Sequence, residues 1–86
     1  MQPLKTHVAG VDVHKEVLAI TVLIGRSDEE PVATYFESGT FTEDLMASGL
    51  RLKDMGVTDV LMESTGVYWK PVFNVWYIIT PPHIFN

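Results

Sequence analysis

The chain reads as one α/β domain on a mixed sheet in strand order 3-2-1-4-5. Three observations predict this. Three β-type segments follow one another in the first half. A helical segment then separates them from a fourth β-type segment, which makes that connection a crossover. A length of 86 residues leaves room for one domain only.

Residues 6–13 (THVAGVDV) form the first strand, with Val8, Gly10 and Asp12 on one face and Ala9, Val11 and Val13 on the other. His14, Lys15 and Glu16 make a polar turn. Residues 17–24 (VLAITVLI) are β-branched and apolar at almost every position, the pattern of a strand covered on both sides. Residues 25–31 (GRSDEEP) are a loop, and 32–38 (VATYFES) a more polar third strand near an edge. A helix follows, capped by Thr40 with Glu43 in capping-box spacing, or by Thr42. It runs to about Met55, with an apolar face of Leu45, Met46, Leu50, Leu52 and Met55, and it stops at Gly56. Gly49 inside it costs about 1 kcal/mol relative to alanine.

Residues 57–63 (VTDVLME) are the fourth strand and 67–76 a second helix, in which Pro71 is tolerated only in the first turn. Residues 77–80 begin a fifth strand that Pro81 and Pro82 end. A right-handed crossover sets the fourth strand beside the first and parallel to it. That order and topology are the core of a ribonuclease-H-like fold.

Hydrophobic residues make up 47% of the chain, a globular composition. No cysteine is present, which excludes disulfides and thiolate zinc sites, so any metal would be oxygen-loving. The apolar runs 17–24 and 75–79 fall well short of the roughly 18 residues that span a bilayer. Residues 1–6 lack a signal-peptide stretch, so the expected setting is soluble and cytoplasmic. A net charge of −5 argues against a free-standing nucleic-acid binder. Acidic character stops at Glu63, and Lys70 is the only formally charged residue after it.

Two acids stand out by position. Asp12 interrupts an apolar strand, and Glu63 ends the fourth strand after Val60-Leu61-Met62. On parallel neighbouring strands they project together at one end of the sheet, where sites in such folds commonly lie. Paired carboxylates repel one another, and a divalent cation relieves the repulsion. The bland counterpart is capping by backbone N–H groups, or pairing with Lys15 or Lys70. His14 and Lys15 are placed to approach a phosphate, or are a solvated turn. Glu63-Ser64-Thr65-Gly66 ends a strand and opens a helix, either as an anion site with Lys70 one turn on or as an ordinary cap by Ser64 or Thr65. Tyr68 and Trp69 either stack on bases or divide between core and surface.

Gly10-Val-Asp12-Val-His14-Lys15 and Met62-Glu63-Ser-Thr-Gly-Val-Tyr-Trp-Lys-Pro71 together resemble the N-terminal domain of the DEDD transposases of the "IS one-ten" insertion-sequence family. These are relatives of the Holliday-junction resolvase RuvC. The match is best over residues 8–76, within a domain spanning 6–86 whose last ten residues read as a degraded tail. The resemblance implies a RuvC-like ribonuclease-H fold and metal-dependent DNA strand cleavage and transfer, with Mg²⁺ or Mn²⁺ held by four acids. Asp12 matches the first acid and Glu63 the second. His14, Lys15, Ser64, Thr65, Gly66, Tyr68 and Lys70 fall in the matching strings as nucleic-acid contacts. DNA, a guide RNA and further copies of the chain are the partners it implies for an intact enzyme.

The family's D-x-x-D pair and its serine-bearing domain have no counterpart here. The chain is therefore expected to be a truncated, incomplete domain, inactive alone, with weak metal binding or none. Two other readings compete. An actin-like kinase fragment shares the sheet, but its first phosphate loop needs glycine where His14 stands. A non-enzymatic α/β interaction module or remnant needs no site at all.

Overall fold

In-and-out alternation along the strands decides which way the sheet faces. The computed structural model describes residues 5–26, 28–79 and 83–85. Its elements are β1 (Lys5–Val13), β2 (Leu18–Arg26), β3 (Val32–Ser38), α1 (Thr42–Asp54), β4 (Asp59–Ser64), α2 (Trp69–Ile79) and β5 (His83–Phe85). The sheet runs β3-β2-β1-β4-β5, the predicted order. β1 pairs antiparallel with β2, and β2 with β3, whereas β4 lies parallel to both β1 and β5.

Both helices cover the same face. Ala9, Val11 and Val13 of β1, Leu18, Ile20 and Val22 of β2, and Val60 and Met62 of β4 are buried against Leu45 and Leu52 of α1 and Val72 and Trp76 of α2. Among the described residues no helix covers the opposite face. Thr21 and Leu23 of β2 are exposed on it, so β2 is covered on one side and not on both as its composition suggested. A strand of β-branched residues reads alike in the two situations. β2 also continues through Gly25 and Arg26, which the sequence assigned to the loop, because Thr6 and Lys5 pair with them. β4 begins two residues later than expected, at Asp59.

Helix α1 departs from expectation at its start and on its buried face. The N-cap is Phe41, not Thr40 or Thr42. The Asp44 carboxylate accepts a hydrogen bond from the Phe41 N–H at 3.3 Å, the return half of a capping box. Thr40 instead donates its hydroxyl to the Lys15 carbonyl at 3.0 Å, tying the helix start to the β1–β2 turn. The buried face is Leu45, Ser48, Gly49 and Leu52, while Met46 and Leu50 are exposed.

Gly49 explains this rotation. A Cβ at this position would sit 2.8 Å from Cδ1 of Trp76, so glycine admits the indole. The indole N–H donates to the Leu45 carbonyl at 2.9 Å. The C-terminus ends as a Schellman motif: Gly56 (φ 74°) donates to the Lys53 carbonyl at 2.9 Å, and Val57 to the Leu52 carbonyl at 3.1 Å. His7 Nδ1 lies 2.9 Å from the Met55 carbonyl and holds the turn to β1.

The end of the chain is the largest correction. Residues 77–79 continue α2 instead of starting a strand, and β5 is His83–Phe85, on the other side of the prolines. Residue 80, the rest of the predicted strand, lies outside the described residues. Trp69, Phe73 and Tyr77 stand at helical i, i+4 spacing: Trp69 meets Phe73 edge to face, with centroids 6.1 Å apart, and Phe73 stacks on Tyr77 at 5.6 Å. That aromatic ladder carries the helix past Trp76. Beyond the prolines the His83 N–H donates to the Thr58 carbonyl at 2.9 Å, and His83 Nδ1 sits 3.2 Å from Asp59 Oδ1.

Candidate functional site

The alternation that buries Val11, Val13, Val60 and Met62 turns Asp12 and Glu63 to the uncovered face. The parallel register pairs Asp12 directly with Glu63 at the C-terminal ends of β1 and β4. Neighbouring strands lie about 4.8 Å apart, so the two side chains leave the sheet side by side. They are shared by two adjoining hollows. One, of about 270 Å³, is lined by Gly10, Asp12, Thr21, Tyr35, Leu61 and Glu63. The other, of about 220 Å³, lies at the strand ends between Asp12, His14, Glu63, Ser64 and Thr65.

Among the described residues neither carboxylate has an ion-pair or hydrogen-bond partner; the ion pair there is Arg26–Asp28, and His83 Nδ1 contacts Asp59. The alternative in which Lys15 or Lys70 neutralises the pair is not realised. Lys15 lines a separate hollow with Glu16, Gly39, Thr40, Phe41 and Asp44, at the start of α1. Lys70 is exposed in the first turn of α2.

The remaining predicted residues divide. His14 joins the carboxylates, and its N–H closes the turn on the Val17 carbonyl at 3.0 Å. Ser64 and Thr65 join them too, although the Ser64 hydroxyl is engaged with the Thr65 carbonyl at 3.1 Å. Gly66 lies in the turn that follows, and Tyr68 is exposed. Glu63 and Ser64 end β4 as expected, but Thr65 and Gly66 lead into a turn and α2 begins only at Trp69, so the string does not open the helix. No group of three or more His, Asp or Glu side chains suited to a metal occurs among the described residues.

Sequence reasoning missed Tyr35 and Glu37. The register sets Asp12 opposite Ala19, and Ala19 opposite Glu37, so Glu37 joins the carboxylates' row across a small residue. The Tyr35 hydroxyl donates to Glu37 Oε2 at 3.2 Å. Partial loss of hydration, that hydrogen bond, and the negative charges of Glu37 and Asp12 hold the Tyr35 hydroxyl above the ordinary phenol value. The i, i+2 spacing of two polar groups on an edge strand was the available signal, but it means nothing until the register is known.

A raised phenol favours the folded state at pH values below the unfolded phenol's pKa, and that contribution fades as pH climbs through the folded value. Glu37→Gln is therefore expected to bring the Tyr35 titration back toward about 10, read as phenolate absorbance in a chain whose other tyrosines are replaced by phenylalanine. An unchanged midpoint would mean that Glu37 does not act on the hydroxyl.

Among the described residues no helix is long and apolar enough to cross a membrane. No family model matches the chain, and a search of curated proteins finds no match for it.

Proposed function

We propose that the chain is part of a ribonuclease-H-like, RuvC-like transposase domain. Its role would be metal-dependent DNA strand cleavage and transfer in the cytoplasm. The single observation that supports this reading most is the register pairing of Asp12 with Glu63, side by side on the uncovered face at the C-terminal ends of parallel strands. A pair of carboxylates without a cationic partner among the described residues has the chemistry of a hard-cation site. Asp12 and Glu63 would hold Mg²⁺ or Mn²⁺, which when bound supplies Lewis acidity toward a phosphodiester oxygen. His14, Ser64 and Thr65 stand where they would contact the adjoining phosphate. DNA and a guide RNA are the partners of this reading.

The sequence has no acid after Glu63, so two of the four acids implied by the resemblance are not in it. Two carboxylates leave most of the six positions around Mg²⁺ to water. Calorimetric titration with Mg²⁺ or Mn²⁺ is thus expected to show binding no tighter than about millimolar, lost in Asp12→Asn, with no DNA cleavage. Micromolar binding, or nuclease activity that persists through purification, would show that the site needs no further acids. Binding unaffected by Asp12→Asn would remove the metal from this place.

A further inference from the structure

Gly10 stands in the middle of β1, the central strand of the sheet. The pairing of β1 with β2 and with β4 runs through it without a bulge. Its φ is not positive, and a Cβ built on it would meet nothing within 4 Å. A glycine inside a strand weakens it, and where no bulge or bend uses it, it marks a place where a ligand or another backbone comes close. Gly10 lies where two hollows of the uncovered face meet. The one of about 270 Å³ extends past Thr21 and Tyr35 to Asp12 and Glu63. The other, of about 350 Å³, lies between Val8, Leu23, Asp59 and Leu61, with Ala9 and Val60 of the same strands beneath. Gly10 and Leu61 line both, so the two form one trough.

The trough is chemically polarised. One half is walled by Val8, Leu23 and Leu61, the last 55% exposed, and its single acid, Asp59, is in contact with His83 Nδ1. In the other half Asp12 and Glu63 have no partner among the described residues, while Glu37 beyond them takes the Tyr35 hydroxyl. Among the described residues no lysine, arginine or histidine lines either hollow. A complementary ligand therefore carries positive charge at one end and an apolar body at the other. Gly10 and Asp12 lie about 7 Å apart along the strand, the reach of a two-carbon tether between a ring and a nitrogen. We propose that the trough binds an arylalkyl ammonium, its flat ring on Gly10 between Leu61 and Thr21 and its nitrogen between Asp12 and Glu63. A neutral backbone laid over Gly10 would leave both carboxylates unpaired, so the charge selects a cationic ligand. The same carboxylates are proposed above to hold Mg²⁺, but the trough needs them only ionised and unpaired, with no metal bound.

Calorimetric titration of the full chain with naphthylethylamine tests this. Saturable binding with a dissociation constant of about 0.1–1 mM is expected for a ligand of this size. Naphthylethanol keeps the ring and loses the charge, and should bind about fivefold more weakly. Ethylamine keeps only the charge and should show no saturable binding. Gly10→Val fills the floor without a clash and suits a strand, so it should weaken the amine about tenfold or more while thermal unfolding stays at or above that of the parent chain. Asp12→Asn combined with Glu63→Gln should bring the amine down to the level of the alcohol. Mg²⁺ should displace the amine where the pair also holds metal; amine binding that Mg²⁺ leaves undisturbed would count against the metal reading and leave the trough standing. No saturable binding of the amine, equal binding of the alcohol, or a folded Gly10→Val that binds as the parent does would each overturn the proposal.

Discussion

Replacing Trp76 with alanine is expected to lower stability by about 3–5 kcal/mol, read as the shift of the urea unfolding midpoint multiplied by the slope. Trp76 is the largest fully buried side chain, and it is where the two helices meet. Its ring occupies the gap that Gly49 leaves, and its N–H is bound to the Leu45 carbonyl. Alanine would leave a cavity that cannot close, since α1 is held at its C-terminal end by the His7 ring and the Gly56 turn. A domain of this size has only about 5–10 kcal/mol in total, so most of the population would unfold at modest temperature. Trp76→Phe keeps much of the volume and loses the hydrogen bond, for a smaller cost of about 1–2 kcal/mol. If Trp76→Ala shifted stability by less than about 1 kcal/mol, the helix pair would not be the core described above.

The second large effect concerns activity. A chimera joining this chain to the downstream region of an intact transposase of the resembled family is expected to recombine that relative's DNA. The junction belongs after Ile79, where α2 ends; a junction at Trp76 would cut the helix at its main core contact. In the chimera, Asp12→Ala and Glu63→Ala should each lower activity about a thousandfold or more, because either removes a metal ligand. Both side chains are exposed, so folding should change by no more than about 0.5 kcal/mol. A chimera that recombines equally well with either alanine would leave the pair as solvated strand ends.

Much of this architecture was legible because the governing signals were local. The alternation of β1, the crossover implied by one helix between strands, and the glycine stop at Gly56 each depend on a few neighbouring residues. Asp12 and Glu63 were found for the same reason, as acids at fixed phase within apolar strands. What stayed hidden depended on contacts distant in sequence. The exposure of Met46 and Leu50 follows from Trp76 claiming the Gly49 face, 27 positions further along. Tyr77 to Ile79 have strand-like composition, yet they continue α2, with Tyr77 stacked on Phe73 one turn before it. Tyr35 and Glu37 belong to the carboxylates' neighbourhood only through the register of β2, with Ala19 in between.

The one-sided helical layer divides the strands between two kinds of selection. In β1 the odd positions 9, 11 and 13 carry the core, while in β4 the even positions 60 and 62 do. The positions between them include the proposed site residues Asp12 and Glu63 and, among the described residues, meet no helix. Sequence drift along this chain would therefore be striped with a period of two, in opposite phase of residue number on the two strands. A lineage that no longer needed the reaction would shed Asp12 and Glu63 while Val11 and Met62 stayed fixed. Loss of activity would then leave no mark on the fold.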